Sequence, residues 1–240
     1  MLLAGNQTNA ADCALTDYGR VFLLHGIITC LKNIKKLLGC HKPSEKRKTA
    51  IESTSHFPYR FIDRLIISEA DIKSRVKTLG EAITQDYQDS EKLLLLGLLR
   101  GSVVFITDLM REVRRDITMD FMSVSSYNKS ESSGFVRIDS DHKTNIRGWD
   151  VILIDDIVDS GYTIRTVQKL LLDRSPRSLK VCALLDKPER HKVDIHIDYL
   201  GFSIPDYFVV GYGLDYEEKG RNLPYIASID LKKGGVSHAS

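Results

Sequence analysis

The chain has no cysteine pair at metal-ligand spacing. Its four cysteines, Cys13, Cys30, Cys40 and Cys182, are scattered through 240 residues without a C-x-x-C. That pattern suggests neither a zinc site nor a disulfide framework, and it favours a reducing compartment. The seven histidines form no H-E-x-x-H set, which removes the usual zinc-protease helix. Charge of one sign is also lacking. A formal net charge of +2 is too small by itself to argue for nucleic acid as a partner. The apolar face of Val21 to Leu38 is too short and too interrupted to span a bilayer. A basic n-region and a clear cleavage site are absent, so a secretory signal is not expected. There is no internal repeat.

What is present is a globular composition, 42% hydrophobic and 28% charged. The length suits one α/β domain with a sizeable core and some extra chain. The extra lies at the start. Residues 1–57 differ from the rest, with a helical apolar face followed by a basic stretch that includes Lys42, Lys46, Arg47 and Lys48. They are expected to be a poorly ordered extension, and residues 58–240 to be the folded domain.

The domain is organised around residues 150 to 163. Val151 to Ile154 is a continuous apolar run with the β-branched content of a strand buried on both faces. Asp155 and Asp156 follow, at the expected carboxyl end of that strand, and Asp159 comes three residues later. Ser160-Gly161-Tyr162-Thr163 then leads into a helical pattern with Ile164, Val167 and Leu171 on one face. In an open parallel sheet, ligands bind beyond the carboxyl ends of the strands. A small-residue turn at a helix N-terminus presents free backbone N–H groups to a phosphate. Two carboxylates beside a phosphate must face something else, and ribose hydroxyls or a magnesium ion are the natural candidates. The stretch reads as a site for a sugar phosphate.

Other segments support an α/β reading. Ser68 with Asp71 opens a helix in capping-box style, with Ile72, Val76, Leu79, Ala82 and Ile83 on its apolar face. Leu93 to Leu99 is a nearly unbroken apolar strand. After it, Arg100-Gly101-Ser102 leads into a helix expected to bury Val103, Ile106, Met110 and Val113. Arg100 can neutralise part of a pyrophosphate, and Gly101 lets backbone approach an anion closely. Ile117 to Ser125 reads as a strand and Ser126 to Gly134 as a polar, mobile loop. Leu179 to Leu185, Ile195 to Phe202 and Tyr207 to Val210 read as the last strands, and Lys232 to Ser240 as a free tail.

The stretch from Asp155 to Thr163 resembles the phosphoribosyl pyrophosphate (PRPP) motif of type I phosphoribosyltransferases. More narrowly it is similar to the hypoxanthine phosphoribosyltransferases, whose usual first acid is Glu where this chain has Asp155. The likeness runs from about residue 60 to 231. It implies a mostly parallel twisted sheet flanked by helices, with a small hood subdomain and a flexible loop. It also implies that Asp155, Asp156, Ser160, Gly161 and Thr163 hold the ribose and 5-phosphate of PRPP. Arg100, Gly101 and Arg221 are then expected to hold the pyrophosphate, with Asp159 acting at N7 of the base. Ser126 and Tyr127 match the pair that closes over the site. Lys187 is expected at the purine 6-oxo group, Phe208 stacked on the base and Val209 at its edge. Asp215, with Asp155 and Asp156, is expected to hold Mg2+. The activity implied is purine salvage: transfer of phosphoribosyl to N9 of hypoxanthine or guanine, giving a nucleoside monophosphate and pyrophosphate. A cytoplasmic homodimer or homotetramer is expected. The same motif occurs in adenine, orotate and uracil enzymes, and in RNA-binding regulators of pyrimidine genes. Lys187 and the match from Phe208 to Asp215 argue against the other bases, and the weak net charge with the complete purine-end match argues against the regulators.

Overall fold

The computed structural model describes residues 59–126 and 136–230. The expected extension at residues 1–57, Tyr127 with most of the expected loop, and the expected tail all lie outside the described residues. The elements, in chain order, are β1 (Ile62–Ile67), α1 (Glu69–Asp86), β2 (Leu93–Leu99), α2 (Val103–Glu112), β3 (Thr118–Ser126) and β4 (Val136–Ser140). They continue with β5 (Asp150–Val158), α3 (Tyr162–Leu172), β6 (Ser178–Asp186), β7 (Tyr199–Ser203), β8 (Val209–Val210) and β9 (Ile226–Ile229).

Six strands form the main sheet in the order β4-β3-β2-β5-β6-β7. All neighbours are parallel except β3 and β4. The apolar runs are continuous because both faces are covered. On one face Leu93, Leu95, Ile152, Ile154, Cys182 and Leu184 meet α1 and α2. On the other, Leu94, Leu96, Leu98, Leu153 and Ala183 meet Ile164, Val167 and Leu171 of α3. Alternate leucines of β2 therefore serve opposite cores, and the fully buried ones contribute roughly 1.5–3 kcal/mol each. Ser68 caps α1 as its sequence predicts, accepting the Asp71 amide at 3.1 Å. A second, antiparallel sheet, β1-β9-β8, forms the hood.

Three expectations need correction. The buried face of α2 is Phe105, Ile106 and Leu109, while Val103 is 37% exposed. The helix starts at Val103, straight from the Arg100-Gly101 turn, so its first residue faces away from the core. The strand expected from Ile195 is paired only over Tyr199–Ser203. Ile195 and Ile197 instead pack against the α3 core as loop residues. Asp198 ends that loop by accepting the Val181 amide on its carboxylate and donating its own N–H to the Val181 carbonyl. The strand expected at Tyr207 shrinks to Val209–Val210, because Tyr207 is held in a tight turn by its N–H bond to the Pro205 carbonyl.

The end of the sheet opposite the crevice is tied by Asp150. This buried carboxylate accepts from Arg177 Nε at 2.9 Å, Ser90 Oγ at 2.6 Å and Ser178 Oγ at 2.7 Å. Arg177, aided by the two serines, holds the carboxyl down at about 2, against an ordinary 3.8. A carboxyl depressed on folding contributes stability that is complete above its unfolded value and is lost as pH falls through its folded one. Asp150→Asn is therefore expected to cost about 1–2 kcal/mol at neutral pH, the exposed arginine being screened by solvent. The variant should also flatten the pH dependence of urea unfolding between about pH 4 and pH 2.

Candidate active site

Strand order places the crevice. From β2 the chain crosses outward to β3, whereas from β5 it crosses the other way to β6. The order reverses between β2 and β5, and the carboxyl ends there part to leave a ligand crevice. β2 delivers Arg100 and Gly101, and β5 delivers Asp155 and Asp156. The acids do not follow the strand as expected; β5 continues through them to Val158, pairing with β6 as far as Asp186.

A cavity of about 710 Å³ occupies this place. Its lining brings together Arg100, Gly101, Asp155, Asp156, Thr163, Asp215 and Arg221, seven of the expected residues. Ser123, Ser125 and Asp139 of β3 and β4 complete the wall, and the sequence carried no sign of them. Contact inside is close. A Cβ on Gly101 would fall within the Asp156 carboxylate, and one on Gly213 would fall on the Gly101 carbonyl. Gly213 also has φ 104°, open only to glycine at low cost. The Leu99–Arg100 peptide bond is cis.

The carboxylates are in an unusual state. Asp155 is buried, and its Oδ1 accepts the Asp156 amide at 3.0 Å; Asp156 Oδ1 accepts the Ile157 amide at 3.1 Å. Burial first, and then the adjacent Asp156 charge, push Asp155 well above the usual carboxylate range. Burial pushes Asp156 up as well. Asp215 accepts from Arg221 Nη2 at 2.8 Å and from the Glu218 amide at 2.9 Å. Among the described residues no three His, Cys, Asp or Glu side chains cluster tightly enough to hold a metal by themselves. Two adjacent carboxylates with a third in the same cavity lining nevertheless fit a hard divalent cation that takes its remaining oxygens from a phosphate ligand.

The other expected residues among those described do not line this cavity. Ser160 and Gly161 form the turn into α3, with Gly161 at φ 83° as the residue before the helix. The first-turn amides that follow have no partner within the helix. Asp159 forms an ion pair with Arg190 at 2.9 Å, and Arg190 also reaches Asp206 at 3.6 Å. Asp206 in turn lies 3.4 Å from Nζ of buried Lys187. Phe208 is 53% exposed, its ring meeting the edge of Tyr216 at 6.0 Å. Val209 is buried in β8, and Ser126 is the last residue of β3. Arg190, Asp206 and Glu218 were missed as site residues. Charges in a polar loop carry no periodic signal, and only the turn Pro188–Arg190 aims Arg190 back at Asp159.

Known proteins resemble this chain in sequence and in fold. The phosphoribosyl transferase domain family matches residues 69–217. The chain is 48% identical to the hypoxanthine phosphoribosyltransferase of Salmonella typhimurium over 169 residues, 70% of this chain and 95% of the relative. It is 47% identical to the hypoxanthine-guanine phosphoribosyltransferase of Bacillus subtilis over 166 residues, 69% of this chain and 92% of that one. A crystal structure of a hypoxanthine-guanine phosphoribosyltransferase from Bacillus anthracis superposes with TM-score 0.66 at 43% identity, covering 70% of this chain and 98% of the other. The chain belongs to the phosphoribosyltransferase family and is a transferase. These three relatives are named as hypoxanthine and hypoxanthine-guanine phosphoribosyltransferases.

Adjacent buried acids cost stability, because each charge is desolvated beside the other. A carboxyl raised on folding destabilises more as pH climbs from its unfolded value through its folded one. Asp155→Asn keeps the acceptor for the Asp156 amide and removes one charge. It is expected to stabilise the protein at pH 8, with less gain at pH 5. Thermal melts without substrate at the two pH values measure this.

Proposed function

We propose that this transferase acts in purine salvage, moving the 5-phosphoribosyl group of PRPP to N9 of hypoxanthine and guanine. The products are the nucleoside monophosphate and pyrophosphate. One observation carries the reading: Arg100 and Gly101 meet Asp155, Asp156 and Thr163 in one cavity at the point where strand order reverses. A cation and close-approach glycine, two carboxylates, and a helix N-terminus are the three chemistries that a diphosphate, a ribose and a phosphate require.

In this reading Ser160, Gly161 and Thr163 hold the 5-phosphate, with the first-turn amides of α3. Asp155 and Asp156 hold the ribose hydroxyls close to the positive charge that develops as the glycosidic bond breaks. Arg100, the Gly101 backbone and Arg221 hold the leaving pyrophosphate. Magnesium bound by Asp155, Asp156 and Asp215, together with substrate oxygens, would supply charge neutralisation to that leaving group. Phe208 stacks on the base and Val209 offers backbone groups to its edge. Lys187 has only donors, so it prefers a 6-oxo to a 6-amino group. Its ion pair with Asp206 keeps the ammonium beside a counter-charge. Asp159 takes or holds the proton at N7, and the incoming base competes with Arg190 for it. The family resemblance gives Ser126 and Tyr127 the task of excluding water from the reacting sugar. A cytoplasmic location and a homodimer or homotetramer complete the reading. Among the described residues no helix is long and apolar enough to cross a membrane.

The purified chain, given PRPP and magnesium, should form nucleotide from hypoxanthine and guanine and leave adenine and uracil untouched. Turnover of adenine would remove the role given to Lys187. Asp159→Asn should lower turnover by roughly 10²–10⁴-fold. A rate near that of the parent in single-turnover assays would end the acid–base assignment.

A further inference from the structure

Arg100 and Arg221, the two cations given to the pyrophosphate, share a carboxylate. Glu218 Oε1 lies 2.5 Å from Arg100 Nη2, and its Oε2 lies 3.3 Å from Arg221 Nη2. Its backbone N–H binds Asp215, which itself pairs with Arg221. One glutamate thus ties together the β2 turn and the hood segment on either side of the cavity.

The backbone that presents this glutamate is strained. Tyr216 and Lys219 exchange both backbone hydrogen bonds at 3.0 Å, which closes a two-residue turn. Its corners, Glu217 at φ 51° and Glu218 at φ 61°, both lie in the left-handed region. Turns of this kind favour Asn-Gly. Glutamate in that conformation is uncommon, and strain kept at such a place points to use of the side chain.

We propose that Glu218 is an internal counter-ion of the diphosphate subsite. It holds Arg100 and Arg221 in place and is exchanged for the pyrophosphate group, and so it limits how tightly that group is retained. This rests on the assignment of the two arginines to pyrophosphate. Binding is then an exchange of partners and not the neutralisation of free cations. The side chains of Arg100 and Glu218 are 67% and 62% exposed, and an exposed pair is a weak competitor. The exchange is therefore easily won by a diphosphate, which carries more charge than one carboxylate, yet it still lowers the net affinity.

The test titrates inorganic pyrophosphate with magnesium into the full chain by calorimetry, and uses it as a product inhibitor of the forward reaction. Glu218→Gln should bind pyrophosphate about two- to fivefold more tightly than the parent, and Glu218→Ala should do the same. Glu217→Gln removes an equal charge from the other corner of the turn and should match the parent. Unchanged or weaker pyrophosphate binding in both Glu218 variants, with parental melting temperatures, would overturn the proposal and leave Glu218 a mere support for the arginines. Equal tightening in Glu217→Gln would overturn it as well, since the effect would then be one of net charge. A parent chain that binds no pyrophosphate would overturn both this proposal and the assignment of Arg100 and Arg221 on which it rests.

Discussion

The site depends on one close approach. The Asp156 carboxylate lies against the Cα of Gly101, and the Gly101 carbonyl lies against Gly213. Three segments far apart in the chain meet there: the turn after β2, the end of β5 and the hood strand connection. No side chain larger than hydrogen fits at either glycine. The distance between the cation-bearing turn and the carboxylate pair is therefore set by backbone contact and not by flexible side chains. A geometry fixed in this way holds functional groups more firmly than long side chains could.

The two cores make that contact affordable. Leucines of β2 alternate between the α1–α2 face and the α3 face. Their burial anchors the strands whose ends carry the charges. At the amino end of β5 the Asp150 cluster is fully hydrogen-bonded. At the carboxyl end buried Asp155 sits beside partly buried Asp156, and burial raises both carboxyls. The same strand thus carries an arginine-paired carboxylate that supports folding and two adjacent acids, raised by burial, that oppose it. Such a contrast within nine residues is what a reaction centre on a stable scaffold looks like.

Much of this was legible in the chain. Leu93 to Leu99 and Val151 to Ile154 have no polar side chain, as strands covered on both faces do. Ser68 announced α1 because capping is local chemistry. Where prediction slipped, a distant partner had intervened. Ile195 and Ile197 look like strand residues, but the core beside α3 takes them as loop side chains. Phe105 was left out of the expected apolar face of α2, although it is fully buried. The turn at Arg100-Gly101 sets where that helix starts and hence which side faces inward.

The sequence by itself determined the class of chemistry. Asp155, Asp156, Asp159 and the Ser-Gly-x-Thr turn are contiguous, so their relative placement follows from a strand and the helix after it. Tertiary structure alone decided which distant charges join them. Glu218 reaches Arg100 and Arg221 from a left-handed turn, and Arg190 closes on Asp159 from beyond β6. Periodicity and motif record neighbours along the chain. Ion pairs between loops depend on how the sheet and the hood bring their ends together, and no local pattern encodes that.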